Sequence, residues 1–191
     1  MNLHEIILKK ISKKVIIKNI FSIIFLAILF INGAFAQKTD FNTDWYSEDD
    51  YKFVEKNIYE NILWLENDPT KQNDSLRQCI SNVVLKWIMG TQYLIVDIDV
   101  EYMKFIPKDY KYIDYINPMF VFGKAKYIID NIDNKNEQTA NIAGLKSMLK
   151  IYNYVVKKDR KAKLDIFEKL KKYDKANTHI DFINEFIKVK K

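Results

Sequence analysis

Between Asn73 and Met89 the apolar residues Leu76, Cys79, Ile80, Val83, Val84, Trp87 and Ile88 recur at three- and four-residue steps without a miss. That spacing is one face of a helix with 3.6 residues per turn, and it does not fit the two-residue period of a strand. The same period runs through Tyr51, Val54, Ile58, Ile62 and Leu65, behind Ser47 and three acids that suit a helix start. It returns in Ile142, Leu145, Leu149, Tyr152 and Val156, then in Leu164, Phe167 and Leu170, and last in Phe182, Ile183, Phe186 and Ile187. Stripes of this kind must be buried against one another. The expected fold is all-α, a single-domain bundle of five to seven helices in antiparallel hairpins.

Turn-forming residues mark the ends of these helices. Asn67-Asp68-Pro69 closes the first, and Gly90 stands where a left-handed C-cap closes the second. Pro118 suits the first turn of a helix through Met119, Phe120, Val121 and Phe122, which is apolar all round and so expected to lie centrally. A short helix over 108–116 is expected before it. Ala140 and Gly144 form a small-residue notch, with Gly123 opposite, where two helix backbones can approach closely. Asp159 is expected to cap a helix over 160–173. Thr178-His179-Ile180-Asp181 has capping-box spacing, which gives His179 a surface role, and the final helix closes on Lys188, Lys190 and Lys191. Residues 94–102 fit two periods. Val96, Ile98, Val100 and Tyr102 alternate there with Asp97, Asp99 and Glu101, which favours one short extended segment, while Ile95, Ile98, Tyr102 and Phe105 also fit a helix.

The start of the chain bears on destination rather than fold. Five lysines (Lys9, Lys10, Lys13, Lys14 and Lys18) precede an apolar run from Ile20 to Ile31, and Ala34-Phe35-Ala36-Gln37 follows. Basic, apolar, then small-x-small is the layout of a secretory signal peptide, read here as residues 1–36 with cleavage between Ala36 and Gln37 and Ala34 as the other small residue. Residues 37–191 form the expected helical domain, 37–46 being a loose lead-in. No later segment is apolar for long enough to span a bilayer, so the processed protein is expected in the periplasm or outside the cell.

Charge and rare residues exclude more than they assign. The chain carries a formal +6, but removing the leader's five lysines and one glutamate leaves +2, so no nucleic-acid partner is implied. One cysteine, Cys79, rules out an intramolecular disulfide; its place on the apolar stripe suggests a buried thiol. With His179 the only histidine after the leader, neither a Ser-His-Asp arrangement nor a His/Cys zinc site is expected. No glycine-rich loop precedes a helix, and no cofactor is implied.

Three features remain as candidates for recognition. Asp97, Asp99 and Glu101 offer hard oxygen donors to a metal if 94–102 is extended, although Tyr102 and Lys108 stand where an EF-hand needs glycine and glutamate. Tyr102, Tyr110, Tyr112 and Tyr115 form an aromatic region able to meet a protein or glycan partner, or to line the core. The lysine-rich 157–175 helix suggests contact with an anionic membrane surface. The expected function is a non-catalytic exported protein that binds a protein or ligand partner in the cell envelope or outside. The alternative is a hydrolase using carboxylates on envelope or extracellular glycans.

Overall fold

The computed structural model describes residues 43–187 apart from Asp68, and these residues are helical throughout their regular structure. In chain order the helices are α1 (Glu48–Leu65), α2 (Asp74–Gly90), α3 (Glu101–Lys104), α4 (Ile113–Ile116), α5 (Pro118–Asp130), α6 (Glu137–Lys158), α7 (Asp165–Ala176) and α8 (His179–Phe186). Six have two turns or more, within the five to seven expected. Single 3-10 turns at Pro69–Lys71 and Arg160–Ala162 join α1 to α2 and α6 to α7. The expected leader with its expected cleavage residues Ala34, Ala36 and Gln37, and the closing Lys188, Lys190 and Lys191, lie outside the described residues.

Local chemistry explains most boundaries. Ser47 and Asp50 form a reciprocal capping box at α1, and Asn73 and Asn136 accept the N3 amides of α2 and α6. Pro118 opens α5, where its missing amide costs nothing. Consecutive helices pair as hairpins: α1 with α2, α5 with α6, and α7 with α8. Helix α5 is the central element, touching α1, α2, α4 and α6. Its Met119, Phe120, Phe122 and Ala125 are fully buried, as the all-round apolar sequence requires. Each large apolar side chain so buried contributes roughly 1.5–3 kcal/mol of transfer free energy.

The small-residue notch is real. A Cβ placed on Gly144 would stand 2.6 Å from the Phe120 carbonyl oxygen, and one on Gly123 would stand 2.8 Å from that of Ala143. The two backbones are in contact, and no side chain fits between them.

Several expectations need correction. Gly90 is not a left-handed cap: it is the last residue of α2, and the only positive φ among the described residues is 56° at Asn177. Gly90 is small because the Tyr51 ring lies against it, with Cζ 2.7 Å from where a Cβ would be. Cys79 is exposed, because the inward arc of α2 is centred on Ile80, Val84 and Trp87 and Cys79 sits about 100° round the helix from Ile80. Residues 94–100 form no strand; they are irregular, and Glu101 begins α3. Ile95, Ile98 and Val100 are exposed there while Leu94 is buried, so the alternation had no sheet to serve. The segment after Pro107 is a series of turns with helix only from Ile113. Tyrosine side chains bonded to Asp159 and Ala162, at the turn that follows α6, hold it in place.

Thr178 makes no side-chain cap, and His179 is buried rather than superficial. The chain reverses at Asn177, which turns the first residue of α8 inward. The His179 ring then meets Asp174 of α7 at 2.8 Å and clasps the hairpin.

Candidate functional site

Two rows of side chains run along the face of α2. Asp74, Gln78 and Asn82 lie four residues apart, as do Arg77, Ser81 and Leu85, so each row is a ridge of neighbours on one side of the helix. Opposite them stand Lys111, Asp114, Tyr115, Asn117 and Pro118, from the approach to α4 through the first turn of α5. Between the walls is an open cleft of about 500 Å³. Nine of its eleven lining residues carry an amide, hydroxyl or charged group, with apolar surface exposed between these groups, and its four ionic side chains balance in sign.

Arg77 forms the deep side of the cleft and is only 4% exposed. It lies on the apolar stripe of α2, three residues before Ile80, which carries its guanidinium inward. Nη1 donates to Gln72 Oε1 at 2.5 Å, Nη2 approaches Met119 Sδ at 3.7 Å, and the group sits 5.6 Å from the Tyr115 ring centroid. Burial pushes its pKa down to about 10, against the opposing pull of Tyr115 and Asp74, which leaves it charged at neutral pH.

The other buried ionisable groups are paired. Glu66 binds Lys126 through both carboxylate oxygens at 2.5 Å and also accepts from Ser147. Lys124 binds Glu137, and His179 meets Asp174. Among the described residues, no carboxylate stands within ion-pairing distance of Arg77.

Tyr115 Oη donates to Asp74 Oδ1 at 2.7 Å, closing one end of the cleft. This bond, followed by burial, raises the phenol pKa, so the hydroxyl stays a donor. Asn117 of the opposite wall has its Oδ1 buried without a hydrogen-bond partner among the described residues. Rotating that amide toward the cleft would therefore forfeit no bond at this oxygen.

The sequence-selected residues are distributed as follows. Tyr115 lines the cleft. Tyr110 and Tyr112 lie beyond it, half-buried, and anchor the connection: Tyr110 Oη donates to the Ala162 carbonyl at 2.8 Å and Tyr112 Oη to Asp159 Oδ2 at 2.9 Å. Tyr102 is in the core, stacked on Phe120 with ring centroids 4.7 Å apart, and so presents no surface. Asp97, Asp99 and Glu101 do not converge: Asp99 accepts the Glu101 amide, and Glu101 pairs with Lys104. Among the described residues, no group of three or more acidic, histidine or cysteine side chains could hold a metal. Within 157–175 the apolar Phe167 and Leu170 of α7 face the core, while Lys163, Lys169, Lys172 and Lys175 face solvent. No helix of the described residues is long and apolar enough to cross a membrane.

Sequence reasoning missed Arg77, Gln78, Ser81 and Asn82. Arg77 had a readable signal, a cation in register with an apolar stripe. The cleft had none, because its second wall comes from a distant, mostly irregular segment. No protein-family model matches the sequence, and neither curated proteins nor solved structures gave a match.

Proposed function

We propose that this chain is an exported, non-catalytic helical protein that binds a glycan in the cell envelope or outside it, in the cleft between α2 and residues 111–118. The observation that carries this reading is the lining. Gln78, Ser81 and Asn82 on one wall, and Asn117 with the Tyr115 ring on the other, offer planar amides and a hydroxyl beside an aromatic face. Sugars present closely spaced hydroxyls on an apolar frame, and such a wall meets both parts. The basic–apolar–small layout of residues 1–36 supports export.

The test has two parts. Intact mass of the protein recovered from its own cells should place the N-terminus at Gln37; an N-terminus at Met1 contradicts export. The processed protein should be retained on saccharides extracted from that envelope and leave them uncut. No retention contradicts glycan binding.

A second reading, a carboxylate-based glycan hydrolase, is favoured by Asp74 and Asp114 lining the same cleft. Against it, one oxygen of Asp74 is already engaged by Tyr115. New reducing ends in the retention experiment, lost in Asp114→Asn, would favour the hydrolase.

A further inference from the structure

We infer that the saccharide taken by this cleft is acidic, with a sugar carboxylate seated on the Arg77 guanidinium. This deepens the glycan reading and rests on it.

The basis is a contrast within the molecule. Moving a charge out of water is expensive unless an opposite charge and hydrogen bonds compensate for it. This protein follows that rule at Glu66, Lys124 and His179, each of which faces an oppositely ionisable side chain. Arg77 is as deeply buried, yet among the described residues its direct contacts are neutral, an amide oxygen, a thioether and a ring face, and the Asp74 carboxylate acts on it only from beyond ion-pairing distance. A guanidinium has five N–H donors, and two are used in these contacts. Arg77 is also the one of the four that lines this cleft. The missing counter-charge is therefore one that a ligand can bring, and a carboxylate matches the planar fork of donors.

Charge in the cleft sets the class of anion. Asp74 and Asp114 stand with Arg77 and Lys111 in the lining, so the empty cleft is balanced. A singly charged carboxylate disturbs that balance less than a doubly charged phosphate would beside two acids. The polar rows of α2 on either side of Arg77 suit the hydroxyls flanking such a carboxylate. A uronic-acid sugar combines both groups.

Calorimetric titration of the processed protein with a short galacturonic acid oligomer and with its methyl ester tests this. The two probes share shape and hydroxyls and differ in charge. The acid should bind about tenfold tighter than the ester or better, and Arg77→Gln should remove the preference. Because Arg77 also packs beneath the cleft, Asn82→Asp provides a variant that leaves its contacts intact. This added carboxylate should weaken the acid about tenfold and the ester by less than about threefold. Equal binding of acid and ester overturns the carboxylate inference and leaves the glycan reading standing. Failure of both to bind, while envelope saccharides are retained, also overturns it. Failure of all three overturns both.

Discussion

Lys126 Nζ lies 2.5 Å from each carboxylate oxygen of Glu66, and this bidentate pair ties the end of α1 to the middle of α5. Glu66 is 3% exposed and caps the C-terminus of α1, where the helix dipole disfavours a negative charge. Ser147 and the more distant Lys150, at 3.6 Å, complete its surroundings from α6. Lys126→Met should cost about 3 kcal/mol, because it leaves a buried carboxylate short of its main partner. Denaturant unfolding measures this, and an unchanged midpoint contradicts it.

The same pair sets an acid limit. Burial alone would raise the Glu66 pKa, but the bonds from Lys126 and Ser147 outweigh it and hold the pKa below its ordinary value. The resulting stability is present above the unfolded-state value of about 4.3 and is lost as pH falls through the folded value. Glu66→Gln should therefore lose stability at neutral pH and show a flatter decline below about pH 4. Parallel acid limbs for the two proteins would contradict this.

At alkaline pH the sign reverses. Burial pushes the Tyr110 hydroxyl up to about 12, with further help from Tyr112 and Asp159. A neutral phenol favoured by the fold contributes stability that is complete below about pH 10 and lost as pH rises toward 12. Tyr110→Phe should unfold less steeply over that range, as followed by circular dichroism. It should also be less stable at pH 7, since the Ala162 carbonyl loses its donor.

Two glycines are small for different reasons, one against backbone and one against a side chain. Gly144→Ala should destabilise by about 1–3 kcal/mol, because the added methyl meets the backbone of Phe120 and cannot be accommodated by a rotamer change. Gly90→Ala meets a side chain instead. It should destabilise the native protein yet stabilise the Tyr51→Ala variant by up to about 1 kcal/mol, the ordinary helical preference for alanine over glycine. A double-mutant cycle with no coupling would contradict the assigned role of Gly90.

Helix periodicity made most of the fold legible. The stripes at Ile58, Ile62 and Leu65, at Ile80, Val84 and Trp87, and at Leu145, Leu149 and Tyr152 are buried as read, because a three- and four-residue repeat leaves one direction for the core. What escaped depends on distant neighbours. The alternation at 94–102 describes a strand only if a sheet exists, and none is present among the described residues. Gly90 looked like a cap because its partner, Tyr51, is remote in sequence. Tyr102 and Tyr115 look alike in the chain, yet Phe120 takes one into the core and Asp74 holds the other at the cleft. Nothing in the sequence marks Lys124 or Glu66 as buried, and only the packing of α5 against α6 and α1 shows them so and paired.

The thiol offers a simple check on the register of α2. Cys79 is exposed in the folded protein, so a maleimide should label it stoichiometrically without denaturant. Labelling that requires unfolding would mean that the helix is rotated from the position described.

The most direct test of the account is an amide-resolved NMR titration of the processed protein with the galacturonic acid oligomer. The predicted result is a set of shifted resonances confined to Arg77, Gln78, Ser81, Asn82 and residues 111–117, with the Arg77 side-chain N–H signals moving furthest. Shifts centred elsewhere on the surface, or none at saturating ligand, would contradict it.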